Sequence, residues 1–211
     1  MLRRSFFSHV SGFAAAIGLT DQRAPDAPAA PAVPWQPARH DQDAWFDELA
    51  GKHRVVFDTW TASRFPDAMQ FAGNIFRGNR DYSLTERDLA VIIVVRHNTA
   101  PFAFSDAMWA KYGKAFARRM EWVDPKTQEP PAVNLYTRQL TNYVKQGVHL
   151  AVCNLTTRAY TDIIARETQR TADEVYKELT TNTVGNTHFV PAGVVAATRA
   201  QERGYSLVSI G

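Results

Sequence analysis

The sequence predicts an α/β fold: a three-layer α/β/α sandwich around a mainly parallel five-stranded sheet. Three observations predict it. Residues 89–95 read Leu-Ala-Val-Ile-Ile-Val-Val, a continuous apolar run of the kind that forms a strand buried on both faces. Short β-rich runs alternate with stretches of helical spacing through the folded part, the pattern of βαβ units. The chain has 211 residues, 45% of them hydrophobic, which suffices for one domain with a full core and an N-terminal extension.

Each element follows from its local pattern. Arg54 to Phe57 is a first short strand. Residues 66–78 place Ala68, Met69, Ala72, Ile75 and Phe76 at helical spacing, and Gly78 is a candidate stop. The 89–95 run is the second strand. Phe104 to Tyr112 reads as a helix closed by Gly113. Met120 to Val133 is polar and carries Asp124-Pro125 and Pro130-Pro131, so it is a surface loop. Residues 134–146 are amphipathic and end at Gly147, and Val148 to Cys153 is a third strand. A helix is expected over Thr156 to Thr168. Thr171 and Glu174 form a capping box that opens another, with Val175, Tyr176 and Leu179 on its buried face. Thr187 to Pro191 is a fourth strand, Gly193 to Arg203 a helix closed by Gly204, and Tyr205 to Ile210 a fifth strand.

The N-terminus reads as an address. Arg3-Arg4-Ser5-Phe6-Phe7 precedes a short, alanine-rich apolar stretch from Gly12 to Leu19 and then a Pro/Ala-rich segment. This is the layout of a twin-arginine export signal, with the mature chain expected to begin near Ala27 to Val33 and to reside in the periplasm. The expected organisation is a signal over residues 1–30, a stiff linker over 31–44 and a folded domain over 45–211.

Composition narrows the function. The formal net charge is +3, and residues 1–30, with three arginines against two aspartates, account for +1 of it. An excess this small is no nucleic-acid footprint, and no apolar run is long enough to span a bilayer. A single cysteine, Cys153, rules out a disulfide within the chain. No GxGxxG or P-loop pattern indicates a nucleotide, and no cofactor is expected. His53, His149 and His188 fall at or near strand starts without metal-ligand spacing, so no metal is expected. Trp45, Trp60, Trp109 and Trp122 read as core or interface.

Parallel sheets bind ligands beyond the carboxyl ends of their strands. That selects residues 61–64, 96–99, 153–157 and 191–193. Cys153 sits at a strand end just before a helix, where the positive end of the helix dipole favours negative charge, and thiolate is the form that attacks sulfane sulfur. A buried, inert core thiol is the competing reading. His97, beside Asn98 and Thr99, has the chemistry to donate or accept a proton or to orient a ligand. Asn154, Thr156 and Thr157 are candidates both to cap the following helix and to present donors to an anion. Arg64 and Arg96 lie near the same edge and are candidates to pair with an oxyanion.

These residues carry a resemblance. Gln146-Gly147-Val148-His149-Leu150-Ala151-Val152-Cys153 resembles the DsrE-like sulfur-carrier family, in which a Gly-Val opens a strand that ends in a persulfide-bearing cysteine. Val190-Pro191-Ala192-Gly193-Val194-Val195, Arg199 to Tyr205 and Val95 to Ala100 look like the corresponding segments of its exported relatives. The resemblance covers roughly Trp45 to Gly211, judged by element order. It implies a sheet in flavodoxin-like order and a homo-oligomer, trimer or hexamer. It also implies a sulfur carrier or sulfurtransferase working at Cys153 with His97, in exchange with a sulfur donor or acceptor protein. After the cysteine stands Asn154-Leu155-Thr156-Thr157, where cytoplasmic relay members carry an alanine-rich helix start. The alternative is a non-catalytic module that binds a small ligand or a partner at the same edge, with Cys153 as a wall residue.

Overall fold

The computed structural model describes residues 36–211; the expected export signal and residues 31–35 of the expected linker lie outside the described residues. Five strands form one sheet: β1 (His53–Thr59), β2 (Leu89–Val95), β3 (Val148–Cys153), β4 (Thr187–Val190) and β5 (Ser206–Ile210). All neighbouring pairs are parallel, in the order β4-β3-β2-β1-β5. The α/β sandwich is therefore as expected, but the strand order is not flavodoxin-like, which would be 2-1-3-4-5. The chain steps in one direction from β1 to β4 and then returns once to lay β5 beside β1. Local patterns of strands and helices do not encode that step.

Seven helices flank the sheet among the described residues: α1 (Trp45–Glu48), α2 (Phe65–Arg80), α3 (Asp106–Met120), α4 (Thr137–Lys145), α5 (Asn154–Thr168), α6 (Ala172–Thr181) and α7 (Gly193–Gln201). Crossovers between parallel strands are right-handed, so reversing the direction of travel moves the helix to the other face. Accordingly, Phe65, Met69 and Phe76 of α2, Trp109 and Phe116 of α3, and Tyr160 and Ile164 of α5 share one core with Val91, Ile93 and Val95. Ala196, Ala197 and Ala200 of α7 pack with Phe46, Val56, Ile92, Val94 and Ala151 on the opposite face. All seven residues of β2 are buried, which is why its sequence shows no alternation. Fully burying each large apolar side chain contributes about 1.5–3 kcal/mol.

Several predicted helix ends move. α2 runs past Gly78 to Arg80. Gly113 lies inside α3. A Cβ at Gly113 would stand 2.2 Å from the Pro131 carbonyl oxygen, so this glycine lets the 121–136 loop lie against the helix. α4 is shorter than expected, and α5 begins at Asn154, directly after β3 with no intervening loop.

Candidate functional site

Side chains alternate across a strand, so His149, Ala151 and Cys153 of β3 point to the α7 face while Leu150 and Val152 enter the other core. Cys153 pairs in register with Val190, the last residue of β4. The segment after β3 leads to α5 on one face, and the segment after β4 leads to α7 on the other. Adjacent strands whose exits diverge in this way define the switch point of an open parallel sheet, where a crevice forms. Cys153 stands at that crevice. Two helix N-termini open there, and neither α5 nor α7 has an acidic residue in its first turn. The crevice therefore favours an anion.

Cys153 is 6% exposed, so only a small reagent or a local opening reaches its thiol. Around it the surface is apolar: Leu155 at the start of α5 and Val194 and Val195 at the start of α7 are exposed.

The predicted residues divide into those that hold this edge and those that face out of it. Thr157 is fully buried, and its hydroxyl donates to the Cys153 carbonyl (3.1 Å). Thr156 Oγ1 accepts from the His97 backbone N–H (3.1 Å), which ties the end of β2 to the start of α5. Asn154 Oδ1 accepts from the Tyr176 hydroxyl of α6 (2.7 Å), which ties the start of α5 to α6. His97 is exposed and adopts a left-handed backbone (φ 48°), a conformation that is uncommon outside glycine and is held here by Thr156.

A second cluster seals the ends of β1 and β2. Thr99 is fully buried, with its hydroxyl shared among the Thr59 hydroxyl (2.9 Å) and the backbone of Thr59 and Arg96. Arg96 donates through Nε and one Nη to both carboxylate oxygens of Asp58 (2.8 and 3.0 Å), and its guanidinium lies over the Trp60 ring (4.7 Å). A Cβ at Gly193 would come within 2.9 Å of the Arg96 stem, so that glycine lets α7 close over the arginine. Asn98 donates to the Met120 carbonyl (3.2 Å). Arg64 is exposed and pairs with Asp67 (2.9 Å), two strands away from Cys153. Arg96, Asn98, Thr99 and Arg64 are thus engaged with the protein.

Two residues of this edge, Asp58 and Tyr176, do not stand out as site residues in the sequence. For Asp58 a usable signal exists: an acid closes the apolar run Val55-Val56-Phe57, and a buried carboxylate requires a partner. Tyr176 has the periodicity of a core residue, and its hydroxyl contact with α5 has no sequence mark.

Fold and crevice together define an α/β protein of the open parallel-sheet kind with a thiol at the switch point. No family model matches the chain, and no curated protein matches it. Among solved structures it is similar to a protein of unknown function, MTH1491 from Methanobacterium thermoautotrophicum, with a TM-score of 0.44 and 15% identity over 75% of this chain and 99% of that one. No group of three or more His, Cys, Asp or Glu side chains suited to a metal occurs among the described residues, and no helix among them is long and apolar enough to cross a membrane.

Proposed function

We propose that this protein carries sulfane sulfur on Cys153 as an exported, DsrE-like persulfide protein. One observation supports the reading above others: the chain's sole thiol stands at the β3–β4 switch point between two helix N-termini. In this reading the Cys153 thiolate attacks the outer sulfur of a donor such as thiosulfate. The donor S–S bond breaks, sulfite leaves with the electron pair, and Cys153–S–S⁻ remains. No external oxidant enters the balance. The α5 N-terminus and the Asn154 amide stabilise the terminal sulfur anion. His97 orients the transferred group or protonates it. Arg96, Asn98, Thr99 and Thr157 hold the edge. The segment 1–30 directs the protein to the periplasm, and copies of the chain associate into the trimer or hexamer implied by the resemblance.

Intact mass spectrometry after incubation with thiosulfate or polysulfide tests this. The expected result is a gain of one sulfur atom, reversed by reductant and absent in Cys153→Ser. A second reading, a binding module with Cys153 as a wall, draws on the low exposure of the thiol and on Leu155, Val194 and Val195 at the rim. An unmodified protein after that incubation, with Cys153 alkylating only on unfolding, selects the second reading.

A further inference from the structure

Outside the crevice, the face that carries Cys153 also holds a pair of histidines that the proposed sulfur chemistry leaves unused. His149 of β3 and His188 of β4 stand side by side, with His149 Nδ1 and His188 Nε2 2.9 Å apart. The Trp45 ring lies flat on His188, 4.0 Å away at 6°, and also stacks on Phe46 at 3.9 Å. Trp45 belongs to a short strap, a 3-10 turn at Asp41–Asp43 followed by α1, laid across this face. The strap is held elsewhere by the buried Phe46, by Phe46 O accepting from Tyr205, by Asp47 with Arg203 (3.1 Å) and by Asp43 with Arg199 (3.6 Å). It also walls a cleft of about 590 Å³ with Pro191, Val195 and Arg199, beside the crevice.

We propose that the histidine pair and Trp45 form an acid-sensitive latch that holds the strap over the β3–β4 face. A ring nitrogen accepts a hydrogen bond only when it carries no proton. With both rings neutral, or with one proton between them, the contact holds. With both rings charged, an N–H faces an N–H at 2.9 Å, and one ring must leave. His149 meets His188 at its edge, while Trp45 covers the face of His188 and also stacks on His149 (6.4 Å, 22°), so the departure of either ring disturbs the seat of the tryptophan.

The surroundings offer little to offset a second charge. Glu48 of α1, Glu86 and Arg87 of the turn before β2, and Lys145 of α4 line the cleft beside His149. These are two acids against two bases. Asp47, Asp43 and Arg199 are already held in ion pairs of their own, Ile92 beside His149 is apolar, and neither histidine has an ion pair among the described residues. Burial, and then the neighbouring His188, lower His149 to about 4; burial lowers His188.

The latch is independent of whether Cys153 carries sulfur. Its test is acrylamide quenching of tryptophan fluorescence in the full chain, taken as the difference from Trp45→Phe, between pH 8 and pH 4. Far-UV circular dichroism and peptide-level hydrogen exchange accompany it. Trp45 is expected to become several-fold more quenchable, with a midpoint between pH 6.5 and pH 4. Faster exchange should be confined to residues around 41–48. His149→Gln, which leaves one ionisable ring beneath Trp45, should abolish the transition. An unchanged midpoint in His149→Gln overturns the latch. So does a Trp45 that stays equally protected at pH 4, or exchange that rises throughout the domain at once.

Discussion

The two halves of the sheet end differently. Where β1 and β2 finish, the buried polar groups are spent inside: Asp58 on Arg96, Thr59 on Thr99, and Arg96 against Trp60 and Gly193. Where β3 and β4 finish, the strands diverge into helices on opposite faces. A thiol stands in the gap, apolar side chains line the rim, and the face behind is covered by a strap resting on two imidazoles. The first half has its partners fixed and sets geometry. The second has unspent groups, and both the proposed chemistry and the proton response belong to it. Thr156 joins the halves by accepting the His97 N–H.

Breaking the sealed half should have the largest effect. Asp58→Ala leaves a guanidinium with only 15% of its side chain exposed and no counter-charge. A loss of about 3–5 kcal/mol is expected in denaturant unfolding. The paired change Asp58→Leu with Arg96→Met should recover most of it, because an apolar pair replaces the ionic one at little net cost. If the single and double variants lose the same amount, the ion pair is not what seals this edge.

Acid should act on the other half first. His149 and His188 ionise less readily in the fold than in the unfolded chain, whose histidines titrate near the ordinary 6.5. The unfolded chain therefore binds more protons as pH falls below 6.5, and the stability supplied by the neutral pair is complete above that value and lost toward pH 4. Discounted for partial solvent exposure, the loss is of order 2 kcal/mol. His149→Gln should flatten the profile over this window. A second tether fails later. Burial alone would raise Glu178 of α6, but hydrogen bonds from Lys111, Arg170 and Tyr112 outweigh it and bring the carboxyl down to about 2. Its contribution is present above about 4.5 and disappears as pH falls through about 2. Wild-type profiles that fall in one step, with no separate loss between pH 6.5 and pH 4, would mean that the two regions respond to acid as one.

Smaller changes sharpen the contrast. Glu178→Gln at neutral pH should cost about 1 kcal/mol, roughly 2–4 °C in Tm for a domain of this size, since the site is partly solvated. Thr156→Val removes the acceptor for the His97 N–H and should cost about 1 kcal/mol or less. It should slow sulfur loading more than its stability loss explains, because it frees the left-handed turn that carries His97.

Much of the fold was legible because burial leaves a mark in composition. The seven-residue apolar run became β2 and Val148 to Cys153 became β3, both with the predicted bounds. Strand order was not legible, since the single return of the chain through α7 depends on which face closes best. Gly113 reads as a stop because a helix-ending glycine and one that admits a neighbouring carbonyl look alike in sequence. The site divides in the same way. A cysteine at a strand end can be read directly. The union of His149 with His188 links residues 39 apart, and the contact of either with Trp45 spans further still, so no local pattern announces it.

Cyanolysis of the sulfur-loaded protein decides whether Cys153 carries sulfur. Cyanide takes the outer sulfur of a persulfide as thiocyanate and returns the thiolate. A persulfide on Cys153 predicts one thiocyanate per chain from wild type after desalting and none from Cys153→Ser. Equal release from the two proteins, or none from either, contradicts it.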